Sequence, residues 1–351
     1  MLDLISKLEA GACFSRTEAE TVMEELLSGR LETPDIVRLL LAMNLRPVTA
    51  HELSGFASIM RKHAAPVFAP GEPRPANMVD TCGTGGDGTG TFNISTAAAI
   101  VAAAAGASVA KHGNRSVSSL CGSADVLEAL GVCIDLPPEQ AGRSINEVGI
   151  GFFFAPAAHS ATRYAVPARK QIGRRTVFNF LGPLTNPAGA QTQVLGVFSS
   201  DVLDLVAATL AELGITRAFV LHGAGGLDEI SLSGTTQIAE VRNGTITHFT
   251  VTPSDFGVPS APFEALRGGT PLENAALIRR ILEGEPGVPR DIVVVNAAAA
   301  LVVTGSAENF RAGAQLADRA ISSGAALAKL QQLVQFTNTN KRGHPQNQSA
   351  D

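Results

Sequence analysis

Apolar residues in the first sixty-odd positions recur at intervals of three and four, which is the period of amphipathic helices. Two of these helices have a recognisable start, because Ser15 precedes Glu18, and Thr49 precedes Glu52, at the spacing of a capping box. The sequence therefore predicts a small helical domain over residues 1–70. Its apolar faces are left to pack on the rest of the chain or on a second subunit.

The pattern changes after a proline-rich stretch at residues 65–75, which predicts a linker or hinge because proline blocks helices and central strands. Beyond it, short apolar runs typical of strands alternate with helical stretches. This order favours a largely parallel sheet covered by helices. The predicted strands cover residues 77–80, 108–111, 151–154, 192–198 and 217–221, and the predicted helices cover residues 95–105, 124–130 and 202–213.

The α/β pattern continues toward the C-terminus. Asn243 and Gly244 separate two alternating runs and predict a hairpin. Further helices are predicted at residues 270–282, 292–303 and 310–336, followed by a polar, disordered tail at residues 338–351. The predicted fold class is α/β: a small all-helical N-terminal domain plus a larger domain, residues 76–336, with a mainly parallel central sheet flanked by helices.

Composition narrows the classes of function. The 351 residues carry a formal net charge of −5 and include 5% aromatic residues, none of them Trp. Such a chain lacks the general attraction of a basic protein for nucleic acid and the stacking residues of single-strand binders. The longest apolar stretches are too short to span a membrane, and residues 1–10 lack a signal-peptide pattern. The four cysteines form no CxxC pair, so we expect a cytoplasmic protein with reduced thiols and without nucleic-acid or membrane partners.

The strongest chemical signal is a glycine-rich segment between a predicted strand and a predicted helix. Five glycines fall within residues 83–90, and Ser95 and Thr96 open the Ala-rich helix that follows. Glycine permits positive φ values and close backbone approach, so consecutive N–H groups can surround a phosphate near the helix N-terminus. The segment also matches GxGxxG, but no ribose-binding carboxylate follows a second strand, which leaves a dinucleotide site poorly supported. We predict a phosphate-binding loop.

A second segment, residues 111–125, supplies polar donors directly after another predicted strand. Lys111 and Arg115 carry positive charge, and Asn114 and several serines are neutral donors. This combination suits a phosphorylated, polyhydroxylated ligand. Alone, such a segment is more often a solvated loop; beside the glycine loop it is predicted to form the opposite wall of a phosphate site.

Two groups of charged residues complete the chemistry. Asp228 and Glu229 are adjacent carboxylates in a Gly-rich turn, and hard oxygen ligands of this kind suit Mg²⁺, which takes further ligands from water and substrate phosphates. The planar guanidinium of arginine suits a substrate carboxylate. A basic cluster within residues 155–179 comprises Arg163, Arg169, Lys170, Arg174 and Arg175. Together the segments predict a Mg²⁺-dependent enzyme that acts on a phosphorylated sugar and a carboxylate-bearing second substrate.

Several segments match the motifs of one enzyme family. They are Gly83-Thr-Gly-Gly-Asp87, Asn93-Ile-Ser-Thr96, Lys111-His-Gly-Asn-Arg115, and residues 122–131, 174–187, 226–231 and 290–298. In these segments the chain resembles the anthranilate phosphoribosyltransferases of tryptophan biosynthesis, which belong to the superfamily of nucleoside phosphorylases and phosphoribosyltransferases. The resemblance extends to about residue 336.

The resemblance implies an architecture and a reaction. It implies a homodimer formed through the helical domain, with the active site at the hinge between that domain and the α/β domain. Part of residues 163–185 would join the helical domain. The implied reaction transfers the 5-phosphoribosyl group of phosphoribosyl pyrophosphate to the amine of anthranilate and releases pyrophosphate, with Mg²⁺ as cofactor.

The resemblance also assigns residues by motif position. Lys111 and Arg169 are the implied catalytic residues, and Mg²⁺ is implied at Ser95, Asp228 and Glu229. Anthranilate is implied to meet Gly83, Asn114, Arg169 and His159. The implied phosphoribosyl pyrophosphate contacts are Gly83, Gly86, Asp87, Thr91, Asn93, Ile94, Ser95, Thr96, Lys111, His112, Gly113, Asn114, Arg115, Ser116, Val117, Ser118, Ser119 and Ser123.

Three alternatives remain open at this point. A nucleoside phosphorylase of the same superfamily would need its own phosphate loop and a base-recognition segment in place of Asp228 and Glu229. A non-catalytic nucleic-acid-binding paralogue would show basic patches and eroded phosphate motifs. A structural or interaction protein would not need several motifs that converge on phosphate chemistry.

Overall fold

The computed structural model describes residues 1–116 and 120–341 of the chain. Its strands are β1 (Val79–Gly83), β2 (Val109–Gly113), β3 (Ile150–Phe154), β4 (Thr192–Gly196), β5 (Arg217–Gly223), β6 (Thr236–Arg242) and β7 (Thr245–Val251). Its α-helices are α1 (Leu2–Glu9), α2 (Arg16–Leu27), α3 (Thr33–Met43), α4 (Ala50–Lys62), α5 (Ile94–Ala104), α6 (Ser123–Ala129), α7 (Pro138–Val148), α8 (Ala155–Ala158), α9 (Val166–Ile172), α10 (Phe178–Leu184), α11 (Leu203–Glu212), α12 (Pro253–Phe256), α13 (Pro271–Leu282), α14 (Val288–Val303), α15 (Phe310–Ser322) and α16 (Ala325–Thr339). Short 3₁₀ turns occupy Ser160–Ala165, Ser200–Val202 and Phe263–Leu266.

The N-terminal helices begin where local signals predict. The side chains of Ser15 and Thr49 accept hydrogen bonds from the backbone N–H groups of Glu18 and Glu52. In each case the glutamate side chain accepts a hydrogen bond from the backbone N–H of the capping residue. Both capping boxes are therefore confirmed. The apolar faces of α1–α4 form one core with residues from α9, α10 and α11, so the segment that follows β3 packs against the N-terminal helices.

One seven-stranded sheet organises the rest of the chain, in the order β3-β2-β1-β4-β5-β6-β7. The first five strands in this order are parallel, and β6 and β7 are antiparallel. Asn243 and Gly244 have φ values of +49° and +82° and form the predicted hairpin turn between β6 and β7. The predicted fold class, a helical N-terminal domain plus an α/β domain with a mainly parallel sheet, is confirmed.

Successive residues of β5 divide between the two faces of the sheet. Phe219 and Leu221 belong to the core that contains α5 and α14. Ala218 and Val220 belong to the core that contains α11 and the N-terminal helices. Both faces are therefore covered by helices, as expected for parallel strands that are apolar on both sides.

Several features differ from the sequence predictions. Residues 310–336 do not form one helix, because Gly324 adopts φ of +79° and separates α15 from α16. Helix α7 was not predicted, and neither were the shorter helices α8, α9, α10 and α12. Helix α16 continues to Thr339, so the tail was predicted to begin too early; residues 342–351 lie outside the described residues.

The proline-rich stretch is partly embedded. Val67 and Phe68 are buried in a third small core with residues of β2, β3 and α7, so tertiary contacts fix this connection despite its lack of regular structure. Over the described ranges of the chain, none of the helices combines the length and the apolar character needed to cross a membrane.

Candidate active site

Four neighbouring parallel strands end in glycine at the same edge of the sheet. The glycines are Gly113 of β2, Gly83 of β1, Gly196 of β4 and Gly223 of β5. In the sheet, β2 and β3 lie on one side of β1, whereas β4 and β5 lie on its other side. The direction in which successive strands are added therefore reverses between β1 and β4. Such a switch point at the carboxyl edge is where open α/β sheets bind ligands.

The glycines admit the acidic turn to this edge. A Cβ on Gly83 would lie 2.4 Å from Oδ2 of Asp228, and a Cβ on Gly223 would lie 2.3 Å from the carbonyl oxygen of Glu229. Both separations are far shorter than a carbon atom tolerates. The lack of a Cβ at the strand ends therefore lets the turn that carries Asp228 and Glu229 lie against the edge of the sheet.

The glycine-rich loop follows β1 and closes over the acidic turn. Gly85, Gly86, Gly88 and Gly90 all have φ between +66° and +72°, a region that glycine occupies without strain. The backbone N–H of Gly85 donates to Oδ2 of Asp228 at 3.2 Å. The predicted loop and the predicted acidic pair are therefore brought together.

The N-terminus of α5 contributes its backbone to the same place. The N–H of Ser95 donates to Oε1 of Glu229 at 2.9 Å, which places a carboxylate at the positive end of the helix. The side chains of Ile94 and Thr96 are buried at the start of this helix. Asn93 is engaged as well: its Nδ2 donates to the carbonyl of Cys121 at 3.1 Å, and Thr91 is half-buried ahead of it.

Lys111 lies beneath the loop rather than on the surface. Its Nζ donates to the carbonyl of Thr81 at 2.6 Å and to Oγ of Ser95 at 3.4 Å. Burial lowers the pKa of Lys111, while the nearby charge of Asp80 acts in the opposite direction. Asp80 is buried on the neighbouring strand, accepts the N–H of His112 at 3.2 Å, and has a pKa that burial raises to about 6.

The carboxylates repel one another. Burial raises the pKa of Asp228, and the charge of Asp87 raises it further. Burial raises the pKa of Glu229 as well, and Asp228 adds to that effect. A cation beside these side chains would stabilise their ionised forms.

The donor set at this edge fits Mg²⁺ as a partial ligand set. Asp228 and Glu229 offer hard carboxylate oxygens, and the hydroxyl of Ser95 lies beside the same helix N-terminus. Within residues 1–116 and 120–341, no group of three or more His, Cys, Asp or Glu side chains forms a metal site.

Two histidines of the predicted site are buried. Nδ1 of His112 lies 3.1 Å from the carbonyl of Gly182, and burial lowers the pKa of His112 to about 3, so the ring is neutral. Nε2 of His159 donates to the carbonyl of Thr185 at 2.8 Å. The ring centroids of the two histidines are 5.2 Å apart. His159 therefore packs against His112 and does not present its ring at an open surface.

The segment after β2 is only partly described. Asn114 and Arg115 are exposed, and Arg115 pairs with Asp125 at 3.0 Å and with Glu128 at 2.8 Å. The N–H of Ser116 also donates to Asp125, at 2.9 Å. Oγ of Ser123 lies 3.4 Å from the carbonyl of Asn114, and a Cβ on Gly113 would touch it. The remaining predicted contacts, Val117, Ser118 and Ser119, lie outside the described residues.

Arg169 is the half-buried cation of the predicted basic cluster. Its guanidinium carbon lies 5.2 Å from the ring centroid of Phe178, and burial lowers its pKa. Among the described side chains, no carboxylate pairs with it. Such a cation suits an incoming carboxylate.

Some residues of this site were not predicted. Asp80 was not predicted because a single acidic residue inside a short apolar run carries no pattern. Gly196 was not predicted as a site residue because the sequence does not show which strand ends are neighbours. The contact of Arg175 with the glycine loop, 2.6 Å from its Nη2 to the carbonyl of Gly85, likewise depends on tertiary structure.

Family models match both parts of the chain. The model described as "Glycosyl transferase family, helical bundle domain" matches residues 2–64. The model described as "Glycosyl transferase family, a/b domain" matches residues 75–327.

Individual relatives agree over nearly the full length. The anthranilate phosphoribosyltransferase of Pelotomaculum thermopropionicum is 53% identical over 333 residues, which is 95% of each chain. The crystal structure of anthranilate phosphoribosyltransferase from Thermus thermophilus has a TM-score of 0.90 at 44% identity, covering 96% of this chain and 99% of that chain. The Saccharomyces cerevisiae enzyme in complex with PRPP and Mg has a TM-score of 0.87 at 26% identity, covering 96% of this chain and 98% of that chain. Sequence identity and fold together show that this chain belongs to the anthranilate phosphoribosyltransferase family.

Proposed function

We propose that this chain transfers the 5-phosphoribosyl group of phosphoribosyl pyrophosphate to the amine of anthranilate, giving N-(5-phosphoribosyl)anthranilate and pyrophosphate. This is the second step of tryptophan biosynthesis from chorismate. The observation that carries the proposal is the position of Asp228 and Glu229 against the glycine loop and the N-terminus of α5. Backbone donors and metal-binding oxygens meet there at the ligand-binding edge of the sheet.

The phosphoribosyl donor is proposed to lie between the two walls of this edge. The glycine loop and the N-terminus of α5 offer N–H groups to its phosphates, and Lys111 supplies positive charge from below. The proposed contacts are those of the sequence analysis, with Ile94 and Thr96 acting through their backbone. Arg115 orders the second wall through its bonds to Asp125 and Glu128.

Mg²⁺ is proposed to bind at Ser95, Asp228 and Glu229, and when bound it offsets the negative charge of the pyrophosphate group. In the reaction the bond from the ribose C1 to the pyrophosphate oxygen breaks, and a bond from C1 to the anthranilate nitrogen forms. The nitrogen, which is positively charged once this bond has formed, then gives a proton to water. Lys111 and the loop N–H groups stabilise the charge that develops on the departing pyrophosphate.

The acceptor is proposed to approach from the hinge side, where Arg169 holds its carboxylate and Asn114 and Gly83 line its position. An aromatic amine is mostly unprotonated near neutral pH, so the scheme needs positioning more than a strong general base. His159 packs beneath this route and keeps its shape. Catalysis therefore requires no covalent intermediate on the enzyme.

We also propose that residues 1–70, joined by part of residues 163–185, form a helical domain that makes a homodimer in the cytoplasm, and that residues 76–336 form the catalytic domain. Exposed apolar side chains support a subunit contact on the helical part: Leu2 is 58% exposed, Leu45 77% and Val166 40%. Sedimentation of the wild type and of Leu45→Glu tests the assembly. A monomeric wild type would contradict it.

A coupled assay of pyrophosphate release tests the proposed activity. We expect release only when phosphoribosyl pyrophosphate, anthranilate and Mg²⁺ are all present, and strong loss of release in Asp228→Asn and Glu229→Gln. Phosphorolysis of thymidine or uridine by the wild type, without pyrophosphate release from phosphoribosyl pyrophosphate, would instead identify a nucleoside phosphorylase.

A further inference from the structure

Arg175 holds the outer side of the glycine loop. Its Nη2 donates to the carbonyl of Gly85 and to the carbonyl of Gly86, each at 2.6 Å. Both glycines have positive φ, +66° and +68°. Arg175 thus fixes two consecutive peptide groups in a conformation that glycine adopts at a high cost in conformational entropy.

The orientation of these peptides has a direct consequence for ligand binding. In a planar trans peptide, the C=O of one residue and the N–H of the next point in opposite directions. When the carbonyls of Gly85 and Gly86 point toward Arg175, the N–H groups of Gly86 and Asp87 point away from it. Neither N–H has a hydrogen-bond acceptor in the described part of the chain, so both are available to an anion.

The guanidinium is itself positioned by the segment that follows β4. Its central carbon lies 4.0 Å from the ring centroid of Phe198, which suits a cation–π contact. The N–H of Phe198 donates to Oγ1 of Thr84 at 3.1 Å, at the start of the glycine loop. Phe198 therefore contacts both Arg175 and the start of the glycine loop.

The backbone of Arg175 is tied to the N-terminal helices. Nδ2 of Asn44, the residue that caps the end of α3, donates to the carbonyl of Arg175 at 2.9 Å. A continuous chain of contacts thus runs from α3 through Arg175 to the glycine loop, across the hinge between the two parts of the molecule.

We propose that Arg175 is a positioning residue that aims the N–H groups of Gly86 and Asp87 at the diphosphate of the donor substrate, and that Asn44 links this loop to the helical domain. The proposal rests on the proposed function for the identity of that substrate. Arg175 acts through the loop and touches neither reacting atom.

Steady-state kinetics test the proposal by separating the two substrates. Arg175→Ala is expected to raise KM for phosphoribosyl pyrophosphate roughly 10- to 100-fold, because two charge-assisted bonds that orient the loop are lost. KM for anthranilate is expected to stay within about twofold, on the scale at which surface substitutions are neutral. Arg175→Lys should recover part of the loss, and Asn44→Ala should shift KM in the same direction by a smaller factor.

Arg174→Ala is the matched control, because Arg174 is an exposed neighbour on the same segment. Thermal unfolding of each variant verifies that it is folded. An unchanged KM for phosphoribosyl pyrophosphate in Arg175→Ala, or an equal rise in KM for anthranilate, would overturn the proposal.

Calorimetry with pyrophosphate and Mg²⁺ separates this proposal from the proposed function. If the wild type transfers no phosphoribosyl group, the proposed function fails. The positioning role of Arg175 is then tested by pyrophosphate binding alone. Pyrophosphate binding that weakens roughly 10-fold or more in Arg175→Ala but not in Arg174→Ala supports the positioning role. Equal binding by the two variants contradicts it.

Discussion

The backbone of Asp228 rests on Gly196 so closely that a Cβ on Gly196 would lie 1.6 Å from the carbonyl oxygen of Asp228. Gly196 ends β4, in register with Gly83 at the end of β1. The acidic turn can therefore reach the sheet edge only if this strand end lacks a side chain. The position of Asp228, a proposed metal ligand, thus depends on Gly196, which has no side chain that could take part in the reaction.

Gly196→Ala is expected to displace the acidic turn and lower kcat/KM roughly 100-fold, because a shift of about 1 Å at a site of this kind has an effect of that size. The dependence on Mg²⁺ should move to higher concentrations. Ser200→Ala, at an exposed position soon after β4, serves as control. Retention of wild-type activity and Mg²⁺ dependence in Gly196→Ala would show that the turn is not held by this contact.

Elements specified by neighbouring residues were predicted well. Examples are the capping boxes at Ser15 and Thr49 and the hairpin turn at Asn243. Each depends on residues within four positions of one another, so the sequence shows it directly. The contact between Gly196 and Asp228 depends on the order of strands in the sheet. Local pattern does not encode that order, and the sequence alone therefore indicated the parts of the site but not their arrangement.

How deeply each side chain lies in the site could not be predicted from the sequence. Lys111 was predicted as a phosphate contact, and the structure places its ammonium group beneath the loop, next to Thr81 and Ser95. Ile94 and Thr96 were assigned by a motif match, which cannot reveal that their side chains are buried. The break at Gly324 was missed because apolar spacing continues on both sides of it.

Glu52 is the main electrostatic anchor of the helical part. Its side chain is fully buried and accepts hydrogen bonds from the backbone N–H groups of Phe14 and Thr49, each at 2.9 Å. It also forms a close ion pair with Arg46. Glu52→Gln is expected to lower the free energy of unfolding by about 3 kcal/mol at neutral pH, because it leaves a half-buried guanidinium without its partner. Chemical denaturation measures the change.

The contribution of the Glu52 carboxylate to the free energy of unfolding is expected to depend on pH. Burial alone would raise the pKa of Glu52, but the bonds from Arg46, Phe14 and Thr49 outweigh it and hold the pKa below its ordinary value. The stabilisation is therefore present above the ordinary carboxyl pKa and is lost as pH falls through the lowered one. The difference between wild type and Glu52→Gln should shrink in acid. Glu147→Gln, in an exposed pair with Arg143, should change stability by less than about 0.5 kcal/mol.

Arg169→Ala is expected to raise KM for anthranilate roughly 10- to 100-fold, because it removes the half-buried cation proposed to bind the acceptor carboxylate. KM for phosphoribosyl pyrophosphate should change little. Lys170→Ala removes an exposed charge from the next position and provides the comparison. Equal acceptor KM values in the two variants would remove the role assigned to Arg169.

Cys82 is expected to react slowly with iodoacetamide although it lies beside the glycine loop. Burial raises the pKa of its thiol well above the ordinary value, and Nε2 of Gln193 lies 3.1 Å from its Sγ. Because the thiolate is the reactive form, Cys13, which is exposed, should be alkylated at least about 10-fold faster. Peptide mass spectrometry resolves the two sites, and equal rates would contradict the raised thiol pKa of Cys82.

The most direct test of the proposed reaction follows anthranilate fluorescence after mixing the folded wild-type chain with anthranilate, excess phosphoribosyl pyrophosphate and Mg²⁺. We predict a complete loss of the anthranilate signal and the release of an equimolar amount of pyrophosphate, and we expect chelation of the metal to prevent both. A stable anthranilate signal, with the fold verified by circular dichroism, would contradict it.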